Sequence, residues 1–255
     1  MDARIDTDWP EAVEILNEDG RSQTVLLCEH ASNHMPREYA WLGLDERHRG
    51  RHIAWDIGAA EVARRLSAKL DAPAFLGNYS RLLIDLNRPP DTPDSIPLHS
   101  EGTPIPGNAD IAPAERSRRL DRIFTPFHAR VAAHLDRRAA AGRATRIVTI
   151  HSFTPVFFGE RRPWHAGVLF GRASGLAQTI LRSLRADSSL NVAPNEPYVI
   201  SRDSDYAVPV HGDDRGIPAV LIEVRQDLIS NEAGVAEWTG RLVAALPASP
   251  ETIPT

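Results

Sequence analysis

Four short apolar runs in this sequence end in residues that could do chemistry. Thr24–Cys28 (TVLLC) runs into Glu29 and His30, residues 81–86 (RLLIDL) into Asn87 and Arg88, and residues 146–150 (RIVTI) into His151 and Ser152. A fourth run, residues 219–224 (AVLIEV), carries Glu223 and is followed by Arg225. A buried strand has to end in something polar, so any one case means little. Together they supply imidazoles, carboxylates and guanidinium groups, which suit metal-assisted hydrolysis. Catalytic zinc takes about three protein ligands, commonly His, His and a carboxylate, and leaves one position open. A carboxylate that is not a ligand can take a proton from water and return it to a leaving amine. An arginine can fix a substrate carboxylate through two parallel hydrogen bonds.

The elements that must position these residues read as alternating strands and helices. The runs above, with Ala166–Phe170 (AGVLF), are near-continuous and β-branched-rich, as expected of strands buried on both faces of a parallel or mixed sheet. Between them, residues 57–70 place Val62, Leu66 and Leu70 on one helical stripe. Pro113 opens a long arginine-rich helical stretch closed by Gly142, which Pro126 should kink or split. Residues 175–184 and 232–246 read as further helices. This alternation without a repeat predicts one α/β domain over residues 1–255, with its core at about 22–246. Residues 89–111, rich in Pro, Gly, Ser and Asp, read as one long surface loop, of the kind that is often functional. Residues 247–255 read as a loose tail. In open α/β sheets ligands bind outside the carboxyl ends of the strands, where the polar residues gather here.

Composition sets the class. The chain has 255 residues, 42% of them hydrophobic, which is enough to bury a large core without disulfides. Cys28 is the sole cysteine; inside an apolar strand it reads as a small inert hydrophobe rather than a nucleophile. A net charge of −5 argues against nucleic acid as a partner. No apolar run approaches the ~20 residues of a membrane span, and the acidic N-terminal stretch lacks a signal pattern. The expectation is a cytoplasmic protein with no membrane or nucleic-acid partner; the sequence leaves its oligomeric state open. There is neither a Gly-x-Ser-x-Gly elbow nor a glycine-rich phosphate loop after a strand.

The segments CEHASNHMP, YSRLLIDLNRPPD, IHSFTPVFFGERRPWHAGVLF, NEPY and GIPAVLIEVRQDLI together resemble the N-formylglutamate amidohydrolase family, in particular its bacterial branch, over roughly residues 22–245. That family is in turn similar to the zinc carboxypeptidases. The resemblance implies a three-layer α/β/α fold with a mixed, mostly parallel central sheet, zinc carboxypeptidase-like, and one Zn2+ per chain. It implies His30 and His151 as metal ligands, Glu223 as catalytic base, and Asn87 and Arg88 as holders of the substrate's carboxylate. The implied substrate is a small acidic N-acyl amino acid, N-formyl-L-glutamate, hydrolysed to formate and L-glutamate. Other N-acyl amino acids, a carboxypeptidase-like peptide hydrolase, and a metal-free binding protein on the same fold are the alternatives.

One departure matters. Carboxypeptidases use His-x-x-Glu for two ligands, whereas His30-Ala31-Ser32-Asn33 ends in an amide, a poorer zinc ligand than a carboxylate. Asp56 is the first candidate for the third ligand, with Asn33 or Glu29 as alternatives. Against Glu29, neighbouring residues in a strand point to opposite faces. Asp56 has a second reading as the N-cap of a helix opening at Ile57. Arg81 shares parity with Asp85 and Asn87 in an extended run, and is a candidate to polarise the scissile carbonyl or bind a second carboxylate, with a strand-start salt bridge as the equal alternative. Arg162 and His211 are candidates for the substrate pocket. Asp85 reads as fixing the DLNR turn through an arginine, and Tyr198 and Tyr206 as hydroxyls near the leaving group or ordinary packing residues.

Overall fold

The computed structural model describes residues 8–246, so the tail expected at 247–255 lies outside the described residues. Its centre is a seven-stranded mixed sheet. The strands are β1 (Val13–Leu16), β2 (Thr24–Cys28), β3 (Ala74–Gly77), β4 (Arg146–Phe153), β5 (Ala166–Phe170), β6 (Val192–Pro194) and β7 (Ala219–Arg225). They lie in the order β1-β3-β2-β4-β7-β5-β6. The run β3-β2-β4-β7 is parallel; β1 and β5 join it antiparallel, and β6 is parallel to β5.

Period-two alternation sorts the strand residues into two cores. On one face Leu26, Cys28, Val148, Ile150, Val220 and Ile222 pack under α1 (Ala59–Leu70), α3 (Ser174–Arg185) and α4 (Glu232–Ala245). On the other, Val25, Leu27, Ile147 and Leu221 meet α2 (Thr125–Ala140), through Phe127, Val131 and Leu135, and the loops after β3. This is the α/β architecture, helices on both faces of a mostly parallel sheet, expected from the sequence. Each fully buried leucine or phenylalanine contributes roughly 1.5–3 kcal/mol relative to exposure.

Several local expectations are corrected. Residues 81–86 form turns, not a strand. Leu82, Leu83, Ile84 and Leu86 are all buried, so the run has no polar face to reveal its geometry. Its backbone closes on itself and its neighbours: Leu83 N–H donates to the Ser80 carbonyl, Asp85 N–H to that of Ser95, and Asn87 N–H to Asp85 Oδ1. β1, β3 and β6 are strands of only three or four residues, which the sequence pattern did not reveal. The helix expected from Ile57 starts at Ala59 behind Gly58, so Asp56 is not its cap.

The long helix is divided just before Pro126, as expected. A helical piece, Pro113–Arg119, passes through a wider π turn, Leu120–Phe124, into α2, and that turn lies where Pro126 has no N–H to give the preceding turn. Residues 89–111 are not structureless. Ile96 and Ile105 are buried. Asn108 donates to the Leu82 and Pro97 carbonyls and accepts from Arg119. A short hairpin, His99–Ser100 with Thr103–Pro104, projects from this anchored base.

Candidate metal centre and active site

The carboxyl edges of β2, β4 and β7 open onto a cavity of about 450 Å³, lined by His30, Asp56, Arg81, His151 and Glu223 among others. Register places its core. In the parallel pair β4–β7, His151 lies opposite Glu223 and Thr149 opposite Leu221, so the two functional side chains project from the same face. β2 ends at Cys28 and the chain turns at once. That turn lets both Glu29 and His30 reach the site, although an extended strand would have sent them to opposite faces.

The donor atoms His30 Nδ1, His151 Nδ1 and Asp56 Oδ2 converge. His30 Nδ1 is 3.3 Å and His151 Nδ1 2.9 Å from Asp56 Oδ2. The ligand atoms of this trio all lie within 4.8 Å of one another, and all three residues are buried. With ligand bonds near 2 Å, tetrahedral zinc needs its ligand atoms about 3.3 Å apart.

The far nitrogen of each imidazole is held by a carboxylate: His30 Nε2 lies 2.7 Å from Asp85 Oδ1, and His151 Nε2 lies 2.9 Å from Glu29 Oε2. Thr149 Oγ1 also donates to that Glu29 oxygen, at 2.6 Å. A histidine that gives Nε2–H to a carboxylate turns the Nδ1 lone pair inward, the arrangement that orients metal-bound imidazoles. Three acceptors then face one another, and a cation or a proton has to sit between them.

The charges agree with that requirement. Burial works against ionisation of Glu29, but hydrogen bonds from His151 and Thr149 hold its pKa at about 2. Burial likewise opposes ionisation of Asp56 and Asp85. The charges and hydrogen bonds of His30 and His151 at Asp56, and of Arg81 and His30 at Asp85, drive both well below the usual range. Arg81 is the central counter-charge, with Nε and Nη2 at 3.1 and 2.7 Å from Asp85 Oδ2 and Nη1 at 3.3 Å from Asp56 Oδ1. With both imidazoles neutral, three ionised carboxylates against one guanidinium leave two negative charges at the cluster, which a divalent cation balances. Without one, burial disfavours a charged His151, yet its bonds to Asp56 and Glu29 raise its pKa well above normal.

Glu223 differs from the other carboxyls. It is buried, and its Oε2 has no hydrogen-bond partner among the described residues. Burial, assisted by the charge of Asp56, raises its pKa to about 7. A carboxyl poised near neutrality at a cavity wall suits proton transfer.

The remaining expected residues fall in different places. Asn33 is spent outside the cluster, its amide donating to the Arg49 carbonyl at 2.8 Å. Glu29 stands behind His151 rather than among the convergent donors. Asn87 and Arg88 line the cavity, though they come from a turn rather than a strand end. The Asn87 amide oxygen accepts from the backbone N–H groups of Tyr206 and Ala207, and Arg88 contacts the Ser204 carbonyl and Asp205.

Arg162 and His211 do not line the cavity. Arg162 stacks behind Phe157 and Tyr198, and His211 is buried against His128, 2.9 Å away. Arg225 turns to Asp227. Two features escaped sequence reasoning. Asp85 binds His30 as well as Arg81, and His52 lines the cavity 3.7 Å from Asp56, with burial lowering its pKa to about 4. The four-residue spacing from His52 to Asp56 was the one available hint.

A mixed sheet with convergent histidines, a buried aspartate and an unpaired glutamate at its carboxyl edge defines an α/β protein with a candidate metal centre. Comparison with known proteins narrows the class. The N-formylglutamate amidohydrolase family matches residues 22–230, and this chain belongs to that family. The chain is 31% identical to an N-formylglutamate deformylase of Pseudomonas aeruginosa over 43% of this chain and 51% of that enzyme. The match therefore spans about half the length of that relative. Among solved structures, a gene product of Agrobacterium tumefaciens superposes with a TM-score of 0.90 and 40% identity, covering 95% of this chain and 96% of the other. The N-formylglutamate amidohydrolase of Ralstonia eutropha JMP134, at 19% identity and TM-score 0.67 over 92% and 95% of the two chains, shares the fold. Among the described residues no helix is long and apolar enough to cross a membrane.

Proposed function

We propose that this chain is a zinc-dependent amidohydrolase that converts N-formyl-L-glutamate and water to formate and L-glutamate. The supporting observation is the convergence of His30, Asp56 and His151, with their outer nitrogens tied to Asp85 and Glu29 and with Glu223 beside His151 in register. His30, His151 and Asp56 would hold one zinc ion, which when bound polarises the acyl oxygen and acidifies water. Glu223, near neutrality, takes one proton from the attacking water and hands it to the leaving nitrogen. The water oxygen joins the acyl carbon as the carbon–nitrogen bond breaks.

Arg81 is held by Asp85 and Asp56 and keeps further N–H bonds for the acyl oxygen, since a guanidinium carries five. Arg88 takes a substrate carboxylate. Asn87 fastens the 204–207 segment that steadies it, and Asp205 braces it from the side. Arg162 supports the pocket from behind its aromatic wall. The same reading takes the chain as a single domain working in the cytoplasm.

Metal analysis of the purified protein, with formate release from N-formyl-L-glutamate measured with and without chelator, tests the proposal. Near-stoichiometric zinc and chelator-sensitive formate release are expected. Zinc without formate release would move the assignment to another N-acyl amino acid. Neither bound metal nor activity after zinc is restored would leave a binding protein on a hydrolase fold.

A further inference from the structure

The large apolar side chains exposed among the described residues are Leu98, Val156, Phe158, Tyr198 and Val199. They are not scattered. Tyr198 and Val199 line the cavity together with the ring of Phe157, while Leu98, Val156 and Phe158 lie on the two neighbouring hairpins outside the lining. An apolar collar of Phe157, Tyr198 and Val199 thus borders a polar floor, and apolar side chains beside a few convergent polar groups suit a ligand pocket.

The collar is built to keep its shape. The Arg162 guanidinium lies 4.3 Å from the Phe157 ring and 4.9 Å from that of Tyr198, joining the 156–161 hairpin to the 198–199 segment. That segment crosses the sheet edge over Gly167, where a Cβ would stand 1.6 Å from the Glu196 carbonyl, so only glycine admits the crossing. The two hairpin tips also meet, since a Cβ on Gly102 would lie 3.6 Å from Phe158 Cε1.

We infer that the apolar collar receives the acyl end of the substrate, and that the acyl groups this site handles best are larger and more apolar than formyl. The inference rests on the amidohydrolase reading for its orientation. The cavity has two walls of different chemistry. Asn87, Arg88, Ser204 and Asp205 form a polar one, and Phe157, Tyr198 and Val199 an apolar one. If the amino-acid carboxylate goes to Arg88, the other end of the molecule is left for the apolar wall. The volume is consistent, because about 450 Å³ falls in the range for drug-sized ligands. N-formyl-L-glutamate has only about a dozen non-hydrogen atoms, well short of that size.

The test separates the collar from catalysis by using ligands without a scissile amide. Affinities of L-glutamate and N-benzyl-L-glutamate are measured by calorimetry on the zinc-loaded protein, and again on Val199→Ser. Val199 is 67% exposed, so the variant should fold, which its unfolding midpoint verifies. The benzyl compound should bind about tenfold tighter than glutamate, and the variant should lose most of that gain. In parallel, kcat/KM for N-phenylacetyl-L-glutamate should exceed that for N-formyl-L-glutamate. Equal affinities, or a gain that Val199→Ser leaves intact, would overturn the inference. So would a concentration-dependent dimer abolished by the same variant, since the collar would then be an interface between copies. Tighter benzyl binding with no acyl substrate hydrolysed would sink the amidohydrolase reading and spare the collar. Formate release without a benzyl gain would do the reverse.

Discussion

Glu223→Gln should make this protein more stable while removing its activity, and the pH at which the stability gain appears is fixed by the site. A carboxyl moved from 4.5 to about 7 by burial holds its proton in the folded chain long after the unfolded chain has released it. The sign follows from linkage. Below about pH 4.5 both states are protonated and Glu223 is neutral to stability; as pH rises towards 7 the unfolded state is increasingly favoured, and above 7 the penalty is complete. Its size is about 3 kcal/mol at 1.36 kcal/mol per pH unit. Glutamine has nearly the same shape and carries no charge, so it removes the penalty.

Urea unfolding of chelator-treated wild type and Glu223→Gln across this range should show little difference at low pH. The variant should gain up to about 3 kcal/mol by about pH 8. With zinc restored, the variant should keep its metal and lose about a hundred- to ten-thousand-fold in turnover, the contribution of a general base. A stability difference that does not change with pH, or a variant less stable than wild type at about pH 8, would refute the account of Glu223 as a buried, unpaired carboxyl.

Asp85→Asn should weaken zinc affinity about ten- to a hundredfold, read by competition with a chromophoric chelator, because His30 loses the carboxylate that orients it; unchanged affinity would mean that His30 needs no such support. Asn33→Ala should leave zinc stoichiometry untouched and cost about 1 kcal/mol of stability, since its amide serves the Arg49 carbonyl. Loss of the metal in that variant would return Asn33 to the ligand set. Leu66→Ala, at a fully buried position of α1 under the sheet, should cost about 2–5 kcal/mol in urea unfolding and leave metal content in the folded fraction unchanged.

What the sequence disclosed depended on how strongly each segment was patterned. β2, β4, β5 and β7 were legible because long β-branched runs flanked by polar residues have few other uses. α1, α3 and α4 were legible because their apolar stripes repeat at helical spacing. The run at 81–86 looked the same as those strands, and failed because a turn buried on every side carries the same apolar signature. The error had a consequence. Arg81 and Asp85 were placed together by strand parity, and they are in fact joined by an ion pair across a turn. Asp56 could be read from sequence only as ligand or cap. The structure removes the cap, because Gly58 takes that position, while Asp56 Oδ2 receives the inward nitrogens of both histidines. Nothing local in the sequence could say so, since Asp56 lies 26 positions from His30 and His151 is further still along the chain.

The arrangement also explains why an asparagine at position 33 need not weaken the centre. A turn directly after β2 sends two consecutive residues to the same site, His30 towards Asp56 and Glu29 to the far side of His151. His151 is therefore gripped at both nitrogens by carboxylates from separate segments, and His30 at both by Asp56 and Asp85. Such a shell sets the direction of each imidazole before any ligand arrives, and that preorganisation is what a catalytic centre requires of its surroundings. Three carboxylates this close repel one another, and Arg81, shared between Asp56 and Asp85, offsets only part of that charge. The excess negative charge is a cost to the empty fold and an affinity for a divalent cation, so the features that strain the cluster are the ones that would make it bind.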